Sequence, residues 1–273
     1  MPATGLYHRH LVRRRFGFAA GACLLLAGCG VVVERDAPGR MLDIDEIADA
    51  VPRDEPRSRY GNPESYEVLG KRYRTLKSSY GFDERGIASW YGKKFHGRKT
   101  SSGEIYDMYK MTAAHKRLPL PTYVKVTNLE NGRAAILKVN DRGPFHGNRI
   151  IDLSYAAALK LGVVKKGTAF VRVTAVDGPS TRFASSAQAN PPADEHMSLY
   201  LQIGAFNVQG NAQRLSERIA RRLPQYVRIR EGNNGAGTIY RVQVGPIASV
   251  DLADRLVDTL FSLGINDHHF VSY

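Results

Sequence analysis

Two cysteines among 273 residues are too few for a disulfide scaffold. Charged side chains make up 24% and hydrophobic ones 43%, which excludes a wholly disordered chain, collagen and a coiled coil and leaves room for one or two domains with real cores. No P-loop, no G-x-S-x-G nucleophile elbow and no G-x-G-x-x-G leading into a helix is present. No H-x-x-x-H or HExxH spacing offers a ready zinc site, although His96, His115, His146, Asp141 and Glu104 are chemically adequate ligands. The longest apolar stretch, Phe16 to Ala27, is too short to span a bilayer as a helix.

That stretch follows Arg9, Arg13, Arg14 and Arg15, with no acid among them. A basic segment and a short apolar segment read as a signal peptide over 1–28. It ends in Leu26-Ala27-Gly28-Cys29, which looks like a bacterial lipobox, with Cys29 as the lipidated residue. Acyl chains there anchor stably, since each buried methylene contributes about 0.8 kcal/mol. Gly30, where an Asp favours the inner membrane, points to an outer-membrane anchor facing the periplasm. Cys23 leaves with the signal and lipid consumes Cys29, so thiol catalysis is excluded.

Charge divides the remainder. Residues 29–84 read as a lipidated N-terminus and tether, with some strand character around Tyr66–Leu76. Residues 85–178 hold 17 bases against 6 acids, which places most of the formal net charge of +13 on one domain. An anionic partner fits that surplus better than a merely solvated surface does. Behind an export signal nucleic acid is excluded, whereas cell-wall glycan carries lactyl carboxylates once its stem peptides are gone. Residues 179–195 read as a linker, and 196–273 as a near-neutral second domain with no lysine.

Within 85–178, strand-like runs at Ile87–Tyr91, Thr122–Thr127, Ala134–Val139 and Ala169–Ala175 predict a small β-barrel. Asn131-Gly132 predicts a type I′ hairpin. One helix is predicted at Tyr155–Leu161, capped by Asp152 or Ser154 and ended by Gly162. Asp141, at the end of an apolar strand and before Arg142-Gly143-Pro144, sits at a rigid corner. A partly desolvated carboxyl at a barrel mouth suits a general acid, although an Asp there also caps turns. Glu104, Asp107 and His115 are further candidates, with solvated loop acids and a structural imidazole as the plainer uses. Trp90 and Tyr91, with Phe95, Tyr106 and Phe145, offer sugar-stacking faces or ordinary packing.

In the last domain a shift of 41 residues lays LQIGAF over VQVGPI, each followed by an amphipathic helix. With strands at Tyr226–Arg230 and His268–Val271 this predicts a βαββαβ plan. Leu199, Leu201 and Ile203 then face the helices, as do Tyr240, Val242 and Val244. Tyr200, Gln202, Arg241 and Gln243 fall on the opposite face, as a glycan platform or a solvated surface.

The run from GIASWYG through SSGEIYDM, TAAHKRLP and VNDRGPF to IIDLSYAAA closely resembles the rare lipoprotein A family. The end domain looks like a SPOR (sporulation-related repeat) domain. The resemblance implies a double-psi β-barrel followed by a small α+β domain, with septal peptidoglycan as the site of action. It further implies Asp141 as the acid/base carboxylate, with Glu104, Asp107 and His115 around it; Trp90, Tyr91 and Arg142, beside these groups in the sequence, are expected against the substrate. The activity implied is a lytic transglycosylase that prefers strands lacking stem peptides; with no metal-ligand spacing or cofactor motif in the chain, no cofactor and no metal is expected. A single carboxyl serves a non-hydrolytic cut, whereas hydrolases use a pair about 5–9.5 Å apart. The alternative is a non-catalytic, expansin-like glycan-binding lipoprotein.

Overall fold

The structure, a computed structural model, describes residues 42–145, 147–176, 198–233, 235 and 237–272. The signal peptide, Cys23, Cys29, the linker at 179–195 and His146 lie outside the described residues.

Six strands close into a barrel: β3 (Asp83–Tyr91), β4 (Thr112–His115), β5 (Thr122–Asn128), β6 (Ala134–Asp141), β7 (Arg149–Ser154) and β8 (Thr168–Ala175), in the order β3-β7-β4-β6-β5-β8. Alternation along each strand drives one set of side chains inward. Ala88, Ala113, Val124, Val126, Leu137, Val139, Leu153, Val171 and Val173 fill the interior and are almost wholly buried. The barrel interior is therefore a solid core with no room for a site inside it. The β5–β6 hairpin forms, but not through a type I′ turn. Asn128 N–H donates to Arg133 O, leaving a four-residue loop in which Gly132 alone takes positive φ. The Asn128 and Asn131 carboxamides accept from Glu130 N and Arg133 N and set that loop instead. Helix α1 (Tyr155–Lys160) is capped by Ser154, whose Oγ accepts from Ala157 N at 3.2 Å, with Gly162 at φ +73° beyond its end.

The stretch read as a tether behaves differently over its described part. Leu42, Ile47, Ala50, Leu76 and Phe82 pack against the barrel core. Hydrogen bonds from Ala50 N to Ile136 O and from Ser58 N to Leu120 O tie it down as a strap. A hairpin, β1 (Ser65–Val68) and β2 (Lys71–Arg74), follows. Its Tyr66 and Tyr73 rings pack against Phe145, with centroids at 6.2 and 5.6 Å. Scattered apolar residues without a period do not announce such a strap, because each docks at a site supplied by distant strands.

The second domain runs β9 (Leu199–Phe206), α2 (Gln209–Ala220), β10 (Val227–Asn233), β11 (Thr238–Ile247), α3 (Val250–Ser262) and β12 (His269–Ser272). The antiparallel sheet has the order β10-β11-β9-β12. Ala212 and Ile219 of α2, with Ala253, Leu256 and Leu260 of α3, bury Leu201, Val242 and Val244 as the periodicity required. Ile87 and Phe170, on the outer face of the barrel, join the same apolar cluster, with Phe170 edge-on to Phe270 at 5.8 Å.

Candidate active site

A β-bulge aims Asp141. Strand β4 pairs Thr112 with Lys138 and Ala113 with Val139, and then Ala114 with Asp141, so Asn140 is an extra residue in β6. Without the bulge Asp141 would follow Leu137 and Val139 into the core. With it, Asp141 turns to the outer face. Ala114 also pairs with Asp152 of β7, and Asp152 with Ser89 of β3. Asp141, Ala114, Asp152 and Ser89 thus form one row across four strands, with Asp141 and Asp152 two strand spacings, about 10 Å, apart. Asp141 is the last residue of β6, so its carboxyl sits at a strand end with its side chain on the outer face.

Asp141 is half-buried and held through one oxygen. Its Oδ1 accepts from Ser101 N (2.8 Å), Ser101 Oγ (2.7 Å) and Arg142 N (2.7 Å). Oδ2 takes no hydrogen bond from any described residue. Ser101 sits in a tight turn, closed by Gly103 N donating to Thr100 O, with Gly103 at φ +94°. Glu104 follows this turn and is fixed at both oxygens, Oε2 accepting from Asn140 Nδ2 (2.7 Å) and Oε1 lying 2.9 Å from Lys138 Nζ. One turn therefore brings Glu104 and Asp141 to adjacent residues of one bulge. Ser101 and Asp152 were missed as site residues. The Thr-Ser-Ser-Gly turn signal was available for the first, but Asp152 read only as a helix cap until the strand order placed it.

Other candidates take different places. His115 is 2% exposed and lies on the face of β4 opposite Ala114, so it cannot touch a substrate. Its Nδ1 accepts from Arg117 N and Leu118 N, and Nε2 is 3.6 Å from Glu84. Burial pushes the imidazole below its ordinary pKa, outweighing Glu84, so it is neutral. The turn that His115 holds presents its own and Leu118's carbonyls to Arg142 Nη1, while Gly61 O accepts from Nε and Asn62 Oδ1 from Nη2. Four of the five guanidinium donors are so used, and Arg142 is a clamp between barrel and strap rather than a substrate ligand. Asp107 accepts from Tyr109 N and lies 3.7 Å from His96 Nδ1. That nitrogen also accepts a hydrogen bond from Met108 N. No described contact joins Asp107 to Asp141.

Tyr91 is buried, stacked on Tyr106 at 4.2 Å, and Trp90 packs beside Tyr155, so neither ring is an open sugar platform. Burial, reinforced by Tyr106 and Asp141, pushes the Tyr91 phenol well up, which keeps it protonated. The phenol sits beside Thr112, yet Tyr91 Oη, Thr112 Oγ1 and Asn140 Oδ1 are buried without a well-formed hydrogen bond among the described residues. Phe95, 42% exposed, is the ring that faces solvent here. A groove of about 810 Å³ opens between the strap and the barrel wall, its lining including Glu55, Glu104, Lys110, Thr112 and Lys138. Among the described residues no three His, Cys, Asp or Glu side chains converge as metal ligands.

On the second domain, cross-strand pairing sets Tyr200 and Gln202 of β9 on one face with Gln243 and Arg241 of β11, and with Arg228 and Arg230 of β10. Gln243 is fully buried and Tyr200 nearly so. Arg228 covers both, its guanidinium 3.3 Å from the Tyr200 ring centroid and its Nε donating to Gln243 Oε1 at 3.0 Å. The expected flat platform is thus corrected to an arginine-covered one. The alternation in Val-Arg-Ile-Arg at 227–230 was the available signal for Arg228 and Arg230.

A closed six-stranded barrel with carboxylates on its outer wall, joined to a βαββαβ module, defines a class. Residues 83–173 match the family model described as lytic transglycolase, and residues 198–269 match the SPOR domain. The chain is 43% identical over 247 residues to the endolytic peptidoglycan transglycosylase RlpA of Vibrio cholerae, covering 88% of this chain and 90% of that protein. It is 37% identical over 276 residues to the RlpA of Pseudomonas aeruginosa, covering 82% and 80%. The crystal structure of the RlpA SPOR domain from Pseudomonas aeruginosa is 28% identical, with a TM-score of 0.25, over 27% of this chain and 96% of that one. The chain belongs to the RlpA family.

Proposed function

We propose that Asp141 is the proton shuttle with which this endolytic peptidoglycan transglycosylase cuts glycan strands. Its acid form protonates the glycosidic oxygen between muramic acid and glucosamine. The resulting carboxylate then takes the proton from the muramic C6 hydroxyl as that oxygen attacks C1, leaving a 1,6-anhydro end. No water is activated, so one carboxyl serves both steps. The observation that carries this reading is the anchoring of Asp141 through Oδ1 alone, which fixes its direction while Oδ2 takes no described hydrogen bond. Glu104, clamped to Asn140, holds the bulge that aims it. The charge surplus of the barrel domain holds lactyl carboxylates of strands without stem peptides and weakens with salt. The SPOR domain recruits the chain to such glycan at the septum, and lipid on Cys29 ties it to the outer membrane.

Mass spectrometry of naked glycan strands incubated with the protein tests the chemistry. Ends one water lighter than hydrolysed ends are expected. Intact strands would leave a glycan-binding lipoprotein, and hydrated reducing ends a muramidase. Asp152 supports a second assignment, because it shares the row with Asp141 and binds Ser89 and Arg149. If Asp141→Asn keeps turnover and Asp152→Asn loses it, the shuttle is Asp152.

A further inference from the structure

The family model begins at residue 83, and the strap before it lies outside that match. Yet the strap touches the site at three places. Ser58 Oγ donates to Ser102 O at 2.8 Å, in the turn that holds Asp141. Gly61 lies so close to that turn that a Cβ would come within 2.6 Å of Ser101 O, and its own carbonyl accepts from Arg142. Glu55 Oε2 sits 2.7 Å from Lys138 Nζ, while Glu55 Oε1 accepts from Tyr123 Oη.

We propose that residues 42–62 are a working part of the active site, in which Glu55 is a positioning residue that acts on Glu104 through Lys138. The inference rests on the reading of Glu104 and Asp141 given above. The chain of contacts is continuous: Tyr123 to Glu55, Glu55 to Lys138, Lys138 to Glu104, Glu104 to Asn140, and Asn140 to the peptide of Asp141. Lys138 has no other described acceptor at its ammonium. Held between two carboxylates, it stays in line with Glu104; held by one, its flexible stem is free to swing. Burial alone would bring the Lys138 ammonium down, and the two carboxylates outweigh that and hold it above the ordinary lysine range. Burial likewise favours a protonated Glu55, but Lys138 and Tyr123 keep its carboxyl below the usual range. The strap also contributes Asp43, Glu46, Asp49 and Arg53 to the lining of the groove, beside Glu104, Thr112 and Lys138. A segment that only spaced the barrel from an anchor would need none of these contacts.

The experiment measures kcat and KM of the full chain on naked glycan strands for Glu55→Ala, Glu55→Gln, Lys138→Met and the Glu55→Ala/Lys138→Met pair. Glu55→Ala is expected to lower kcat about tenfold with KM within about twofold, the signature of lost orientation rather than lost binding. The double variant is expected to be no slower than Lys138→Met alone, because both changes break one path. Unchanged kcat in Glu55→Ala, or full additivity with Lys138→Met, overturns the inference. Glu55→Gln, close in shape and still an acceptor for Tyr123, covers the case in which Glu55→Ala does not fold. Its kcat per folded molecule is expected to fall severalfold, and wild-type kcat overturns the inference. Asp141→Asn in the same assay separates the two readings. Retained turnover there refutes the assignment of Asp141, whereas lost turnover beside a normal Glu55→Ala refutes only the role of the strap.

Discussion

The barrel wall and the SPOR sheet both present polar side chains on the outer face of a β-sheet, but they hold them differently. At the barrel wall each group has a fixed partner: Asp141 on the Ser101 turn, Glu104 between Lys138 and Asn140, Glu55 between Lys138 and Tyr123. On the SPOR face the larger groups are long arginines, with Arg228 folded over Tyr200 and Gln243. Bond cleavage needs one carboxyl held in one direction, because proton transfer is sensitive to geometry. Holding a polymer needs several contacts of moderate strength that adapt as the strand slides. The same sheet architecture thus carries carboxylates fixed by a bulge and a strap on the barrel, and arginines folded over buried polar side chains on the SPOR domain.

The sharpest way to break this contrast is Asp141→Asn, which keeps shape and removes the carboxyl that can give and take a proton. Loss of about 10² to 10⁴ in kcat is expected, with adsorption to denuded sacculi retained. Cutting that survives would remove the distinction. Arg228→Ala with Arg241→Ala should weaken adsorption of the chain to denuded sacculi about tenfold, and the remaining binding should depend less on salt. Wild-type adsorption in a pull-down would show that the face is not the glycan surface. Gly61→Ala tests how tightly the strap is seated. Gly61 has φ +78° and a Cβ there would meet Ser101 O, so a loss of about 1–3 kcal/mol and a Tm lower by several degrees are expected by calorimetry.

The smallest effect is a pH dependence. His115 is buried with its folded pKa below the unfolded value, so the unfolded chain binds the proton first. Its stabilising contribution is present above about pH 6.5 and is lost as pH falls from there toward the folded pKa. His268, likewise lowered by burial, adds in the same direction. Denaturation midpoints should therefore fall between pH 6.5 and 5, and the slope should be shallower in His115→Asn. An unchanged slope would mean that His115 does not titrate on unfolding in this window.

The parts legible in the linear chain were those coded locally. Strands β5, β6 and β8 alternate apolar and polar residues, Ser154 and Gly162 bracket α1, and the 41-residue repeat lays out the βαββαβ order. Strands β4 and β7 were not read as strands. Thr-Ala-Ala-His is only four residues and is buried throughout, and Arg-Ile-Ile-Asp-Leu-Ser passes directly into a helix. Those two strands carry Ala114 and Asp152, so the row across the wall went unseen with them. Asp141 stood out because a carboxyl that ends an apolar strand before Arg-Gly-Pro is unusual by itself. Arg142 misled for the same reason, since its neighbours in space, Gly61, Asn62 and Leu118, are far away along the chain.

Composition and order alone determined that there are two domains of different charge, one mainly β and one βαββαβ, and which acids were worth testing, because propensity, period and charge are properties of neighbouring residues. Only the closed barrel decided that Asp141 faces outward, that His115 lies beneath the site and that Glu55 reaches Glu104 through Lys138. A one-residue bulge reverses the face of a side chain, and which groups meet across strands depends on register, which no local stretch of chain contains.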